Sequence, residues 1–431
     1  MIERPMLLEK LIQRKQNGRV KIITGLRRSG KSFLLTDIYI PYLKSQGVDK
    51  DHIISLSLEE LANSRYRNPF ELDSFIRSKI SGNGRYYIFL DEIQKVESME
   101  NPFVPGKENR IGFVDVILGL MKIRNLDIYI TGSNSKMLSS DILTEFRGRG
   151  DEVKVHPLSY SEFRSGFPGA GQSAWQEYLT YGGLPGLLEC QTHEQKSLYL
   201  KDLFENTYIR DILERNGIRH EKSVLDSLLN ILSSSVGSLT NSNVIANTFR
   251  SVEKINIKPE TIDAYISCFE DAFLLRRAQR FDVKGRKYIG SQRKYYFEDV
   301  GLRNARLEFR QTEESHIMEN IIYNELIQRG FDVDVGVVEY NHKDKAGVSR
   351  RSQLEVDFVA NSGSHRYYIQ SALNVADEEK RRQELNSLKR IPDSFKKILV
   401  VHGNVIPHHD ENGILLLSLE DFLTDRSSID F

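Results

Sequence analysis

The chain has 431 residues, and 60 Lys and Arg balance 60 Asp and Glu, so its formal net charge is zero. That length predicts two to four domains, while neutrality argues neither for nor against a nucleic-acid partner, so any basic surface has to be local. Cys190 and Cys268 lie too far apart to form a metal-ligand spacing and suit a reducing compartment. No apolar leader or membrane-length apolar run is seen, so the expectation is a cytoplasmic protein without a membrane partner.

In chain order, Arg19–Thr24 reads as a short β-branched strand. It runs into Gly25-Leu26-Arg27-Arg28-Ser29-Gly30-Lys31-Ser32, which fits the phosphate-loop pattern G-x-x-x-x-G-K-[ST]. Backbone N–H groups must converge on phosphate oxygens there, and glycine lets the loop bend without a Cβ in the way. Lys31 would bring a charge to the phosphates of ATP, and the Ser32 hydroxyl would bind Mg²⁺. The apolar spacing of Ser32–Tyr39 predicts a helix whose positive end points at those phosphates.

Strand-like and helix-like patterns then alternate, which predicts a parallel α/β sheet. His52–Leu58 reads as a strand and Leu72–Ile80 as a helix. Tyr86–Leu90 is an apolar run ending in Asp91 and Glu92, the pattern of a metal-holding aspartate followed by a general base for water. A core strand capped by solvated acids is the plainer alternative. Asp127–Thr131 is a second buried strand, followed by Gly132-Ser133-Asn134. Asn134, with Ser133 second, is the candidate sensor of the γ-phosphate, a role compatible with capping the next helix. Arg147 and Arg149, set between glycines, are either a finger acting on another copy's site or solvated loop residues. Glu152–Leu158 reads as the last strand of this sheet.

Taken together, Gly25–Ser32, Leu90-Asp91-Glu92-Ile93-Gln94, Thr131–Ser135, Phe146-Arg147-Gly148-Arg149 and Pro157–Phe163 resemble a family of prokaryotic AAA-type ATPases followed by a C-terminal domain of unknown function. The resemblance implies an extra-strand P-loop core and says little about the biological role. Glu177-Tyr178-Leu179-Thr180-Tyr181-Gly182-Gly183-Leu184-Pro185 matches another string of that family and reads as a joint between the two halves.

Further on, Leu225–Ser233, Thr240–Thr248 and Lys258–Ile266 read as three helices followed by extended segments, the order of a winged helix-turn-helix. The wing candidate carries Arg276, Arg277, Arg280, Lys284, Arg286, Lys287, Arg293 and Lys294 against the single acid Asp282. That local excess suits duplex DNA phosphates, and a protein-docking wing with solvated cations is the alternative. The remainder, with its helix at Ile317–Gln328, strands at Asp332–Tyr340, Leu354–Ala360 and Tyr367–Leu373, helix at Glu378–Lys389 and strand at Lys397–Val401, resembles a restriction-endonuclease-like domain. Glu319 and Asp357 match its first two acids. Gln370 and Ala372 stand where an acid and a lysine belong, which predicts an inactive nuclease fold.

The expected fold class is α/β: an extra-strand P-loop parallel sheet, an α-helical winged helix-turn-helix region, and an α/β restriction-endonuclease-like domain. Expected boundaries are 1–160 for the ATPase, 161–224 for a helical joint, 225–305 for the winged helix and 306–431 for the nuclease-like domain. The expected activity is ATP hydrolysis controlling a C-terminal module, with duplex DNA, another protein or a second copy as partner. The rivals are a DNA-binding regulator using ATP as a slow switch and an ATP-regulated nuclease.

Overall fold

The computed structural model describes residues 2–82, 84–104, 109–132, 146, 148–169, 171–210, 212–213, 222–310, 313–343, 348–375 and 377–430. The chain divides into two units, Met1–Pro157 and Leu158–Phe431.

The first unit is built on β1 (Val20–Gly25), β2 (Ile53–Ser57), β3 (Tyr86–Asp91), β4 (Leu126–Thr131) and β5 (Gly150–Val155), all parallel, in the order β2-β3-β4-β1-β5. Apolar cover on both faces explains why β3 reads as an unbroken hydrophobic run from Tyr86 to Leu90, and why β1 and β4 are buried along nearly their whole length. On one face Ile22, Ile88 and Ile130 pack with Leu72 and Ile76 of the helix Pro69–Lys79 and with Ile117 and Leu120 of Phe113–Leu120. On the other, Ile23, Phe89 and Tyr129 pack with Leu7 and Leu11 of Pro5–Arg14 and with Leu34 and Tyr39 beyond the phosphate loop. Strand β4 is inserted between β1 and β3, which sets its C-terminal Thr131 between the loop and Asp91.

At the other end of the same strands a charge is buried. Lys21 is fully enclosed, its ammonium on Asp127, and Tyr129 Oη donates to Asp127 Oδ2 at 2.8 Å. Burial pulls the Lys21 pKa below the usual lysine value, and Asp127 opposes that pull. Removing one partner of such a pair costs about 3–5 kcal/mol, whereas replacing both by apolar groups is close to neutral. Asp127→Ala is therefore expected to lower the urea midpoint sharply, and Lys21→Met with Asp127→Leu to recover most of it.

In the second unit, α1 (Tyr160–Gly166), α2 (Gly171–Tyr181), α3 (His193–Leu203), α4 (Lys222–Ser234), α5 (Ser242–Thr248) and α6 (Pro259–Asp271) precede a hairpin, β6 (Leu275–Asp282) and β7 (Lys287–Phe297). Then come α7 (Val300–Arg306), α8 (Glu314–Gln328), β8 (Asp332–Lys343), β9 (Ser349–Ser362), β10 (His365–Ala372), α9 (Glu378–Lys389), β11 (Lys396–Val401), β12 (His408–His409), β13 (Leu415–Ser418) and α10 (Leu419–Thr424). The strands form one sheet in the order β12-β13-β11-β10-β9-β8-β6-β7.

Here the structure differs from the expected free wing. Strand β6 pairs in parallel with β8 at Arg280, Phe281 and Asp282, so the hairpin is the end of the large sheet and the expected 305/306 boundary falls within one sheet. The reason is apolar: Phe281 and Val283 pack with Val338, Val356 and Val359 of the sheet core, surface that a free wing would leave in water.

The Gly182-Gly183 turn is gripped from α7. Gly183 N donates to Asp299 Oδ2 at 2.8 Å, and Asn304 Nδ2 donates to the carbonyls of Leu179 and Thr180, both at 2.9 Å. Leu158 N donates to Gly183 O at 2.8 Å, and a Cβ on Gly183 would sit 2.3 Å from Leu158 O. Only glycine lets the two backbones approach that closely.

Candidate nucleotide site

The phosphate loop follows β1 directly. Gly25 has φ 131°, and a Cβ there would meet Val155 O of β5 at 2.1 Å, so no side chain fits. Leu26 and Ser29 are buried, Arg27 is half-buried, and Arg28 is exposed at φ 62°. Gly30, at φ 94°, caps the helix that opens at Lys31. The Lys31 ammonium bends back over the loop and donates to Gly25 O at 3.1 Å and Leu26 O at 2.9 Å.

Three strand ends meet on one carboxylate. Ser32 Oγ donates to Asp91 Oδ1 at 3.0 Å, and Thr131 Oγ1 donates to the same oxygen. Ser32, Asp91 and Thr131 follow β1, end β3 and end β4 respectively, so neighbouring parallel strands deliver them to one place. Glu92 comes next in a left-handed conformation, φ 54° and ψ 47°, and Gln94 Nε2 donates to its Oε2. For a residue with a Cβ that conformation costs roughly 1–2 kcal/mol, and it turns the carboxylate out of the strand line.

The sequence marks Thr131 as the end of a strand and the start of the string Thr131–Ser135, without giving it a role at the site. The usable signal was its place at the end of the extra strand, next to Asp91. Arg4 left no sequence signal: buried ahead of the first helix, it donates to Ser29 O at 3.2 Å and His156 O at 2.9 Å, tying the loop to the end of β5. Asn134, Ser133 and Arg147 lie outside the described residues. Arg149 is exposed at the start of β5, where its carbonyl accepts from Val20 N at 3.0 Å. It therefore sits at the opposite end of β1 from the loop, about 16 Å away at ~3.3 Å per strand residue.

Residues 17–164 match the family described as an AAA domain, and residues 172–313 a domain of unknown function (DUF8612). An uncharacterized protein of Haemophilus influenzae is 31% identical over 429 residues, covering 98% of each chain. The chain belongs to that protein's family, with an AAA domain in its N-terminal third. The uncharacterized protein MJ1544 of Methanocaldococcus jannaschii is 28% identical over 420 residues, 94% of this chain and 85% of its own. Among solved structures, the Walker-type ATPase PABY2304 of Pyrococcus abyssi is 18% identical over 71% of this chain and 96% of its own, with a TM-score of 0.47. Similarity at that level speaks to neither ligand nor mechanism. The parallel sheet and loop of the AAA domain are of the P-loop ATPase type.

In the second unit the eight basic residues of the hairpin have diverse surroundings. Arg276 Nε donates to Glu298 Oε2 and Arg277 Nε to Glu270 Oε1, both at 2.6 Å. Arg280 donates to Gln353 Oε1 at 3.0 Å and Lys284 to Glu339 O at 2.7 Å. Arg293 is half-buried, its backbone bridged to Thr240, while Arg286 and Lys287 are exposed at the turn. The third helix, α6, carries Glu260, Asp263, Glu270 and Asp271 and no Lys or Arg, with Glu260, Asp263 and Asp271 exposed.

Lys294, expected among the candidate DNA contacts, is buried instead on the inner side of β7. Its ammonium lies 2.8 Å from Glu319, 2.6 Å from Glu355 and 3.8 Å from Asp357. Burial opposes its charge, but the three carboxylates outweigh that and hold its pKa above the usual lysine value. Burial, with Asp357 adding to it, pushes the Glu319 carboxyl up to about 7. Tyr296 Oη donates to Glu319 at 2.6 Å, and Ser371 donates to Asp357 from N at 2.8 Å and Oγ at 2.9 Å. Gln370 accepts from Asp357 N and donates to Glu384, both at 3.3 Å. The fold thus brings Glu319 and Asp357 together, with a lysine from a strand the sequence reading had assigned elsewhere.

Burial pushes the Lys31 ammonium down to about 8, against the pull of Glu92 and Asp91. Phosphate oxygens favour the charged form, so above about pH 8 nucleotide binding has to take up a proton. Affinity for ATP is expected to fall between about pH 7.5 and 9, approaching tenfold per unit at the upper end. Calorimetry in buffers of different ionisation heat measures the uptake directly, and Lys31→Met should remove both the uptake and most of the affinity. An affinity independent of pH across that range would contradict the assignment.

Proposed function

We propose that the chain hydrolyses ATP and that its nucleotide state controls a C-terminal docking module. The bridge from Ser32 through Asp91 to Thr131 carries this reading, because it sets a hydroxyl and a carboxylate beside a buried, phosphate-ready lysine. The donor set is all oxygen and fits Mg²⁺, which Ser32 and Asp91 would hold and which would neutralise charge on the phosphate oxygens. Lys31 exchanges the loop carbonyls for phosphate oxygens. Glu92, turned out of β3 and steadied by Gln94, orients a water and takes its proton. Arg149 is out of reach of its own loop, so a finger role for it requires a second copy of the chain.

For the docking module, the acidic exposed face of α6 favours a protein over duplex DNA. A third helix entering a major groove would bring Glu260, Asp263 and Asp271 against phosphates, and such like-charge approach is unfavourable. Arg286 and Lys287 are what supports the DNA reading.

Glu92→Gln is expected to retain ATP binding while lowering turnover by on the order of a hundredfold, and Lys31→Ala to lose binding, each with an unchanged circular-dichroism spectrum. Wild-type turnover in Glu92→Gln would remove the general-base role.

Nuclease chemistry forms no part of the proposal. The ammonium of Lys294 already neutralises the carboxylates a cation would need, and Gln370 supplies an amide where an acid is required. No cleavage of linear, supercoiled or single-stranded DNA is expected with Mg²⁺ or Mn²⁺, with or without ATP. Cutting that disappears in Asp357→Ala would make the protein an ATP-regulated nuclease.

A further inference from the structure

The second unit has a cleft of about 360 Å³ at the C-terminal ends of the parallel strands β11 and β13. Open α/β sheets commonly take ligands beyond the carboxyl ends of their strands. The cleft floor is aromatic and apolar. Trp175 of α2 is largely buried there, with the His402 ring 5.8 Å away at 31° and the Tyr160 ring 5.6 Å away edge-on. The rim is polar: Gln172 and Asn404 contribute amides and Glu420 a carboxylate, which Arg164 Nη1 contacts from outside the lining. Among the described lining residues none is Lys or Arg.

We propose that this cleft binds a nucleobase-like ring, a flat heteroaromatic group without phosphate at the contact. The chemistry of the walls selects that class. The partly exposed imidazole of His402, backed by the indole of Trp175, offers a flat face for stacking, two amides and a carboxylate read hydrogen-bonding ring edges, and the lack of a lining cation disfavours a phosphate. The volume holds a group of nucleoside size. The ring has two sources, a free nucleoside or a base of a single strand, and both present the same chemistry to the cleft. The phosphate loop belongs to the other unit.

Trp175 is the chain's single tryptophan, so its fluorescence reports on this cleft directly. Full-length protein is titrated with adenosine, guanosine, cytidine and uridine, excited at the red edge of indole absorption. The phosphate-free nucleosides keep the P-loop out of the measurement. A saturable change is expected for at least one, with a dissociation constant on the order of 0.1 mM. His402→Ala, with thermal unfolding measured to show that it folds, should weaken it at least fivefold, the loss of one stacking partner. Lys31→Ala should leave it unchanged.

A parallel titration with short single strands and with abasic strands of equal length identifies the source. Base-dependent strand binding lost in His402→Ala makes the ligand a nucleic-acid base, and nucleoside binding without strand binding makes it a free nucleoside. No saturable response to any nucleoside or strand up to a few millimolar overturns the proposal. So does a response that His402→Ala leaves intact or that Lys31→Ala abolishes. Failure here leaves the ATPase reading standing, because turnover is measured at a different site.

Discussion

A single carboxylate oxygen organises the AAA domain. Asp91 Oδ1 receives the hydroxyls of Ser32 and Thr131, so the ends of β3 and β4 and the start of the phosphate-loop helix are held at hydrogen-bond distance. That holds only if β4 runs between β1 and β3. The register that puts Lys21 beside Tyr129 and Ile23 beside Thr131 is the same register that buries Lys21 against Asp127 at the other end of the strands. A slip by one residue would both strand that charge and move the hydroxyl off the carboxylate. Stability and site geometry therefore rest on the same strand pairing.

Around that core the loop is held tense. Two residues with a Cβ, Arg28 in the loop and Glu92 after β3, sit in the left-handed region, and Gly25 approaches Val155 too closely for any side chain. Such conformations persist only where surrounding packing over-determines them. Arg4 contributes by fixing Ser29 O and His156 O, and the Lys31 ammonium by donating to the loop carbonyls of Gly25 and Leu26.

The second unit solves a different electrostatic problem. Glu319 and Asp357 are buried with the partly exposed Glu355 beside them, and the Lys294 ammonium offsets their mutual repulsion from within. Carboxylates that resemble a metal site are thereby committed to holding β7 against α8 and β9. The other strand of the hairpin, β6, pairs with β8 and makes the hairpin part of the eight-stranded sheet, which is why a segment rich in cations presents few of them to solvent.

Local chemistry was legible in the sequence wherever one contiguous string sufficed. The phosphate loop, the apolar run ending in Asp91 and Glu92, the capped helices and most strands of the second unit all depend on period, turn residues and neighbours a few positions apart. Helix Glu378–Lys389 falls where its pattern placed it, and the extra strand Leu126–Thr131 was visible as a buried run. What the string left undetermined was pairing between distant segments. That Thr131 meets Asp91, that Arg4 reaches Ser29, that β6 joins β8, and that Lys294 turns inward to Glu319 are long-range outcomes, fixed by which apolar faces find each other. A lysine in a basic run looks solvated in one dimension. Only the tertiary fold, by placing Glu355 and Asp357 of β9 and Glu319 of α8 around it, decides that it is core.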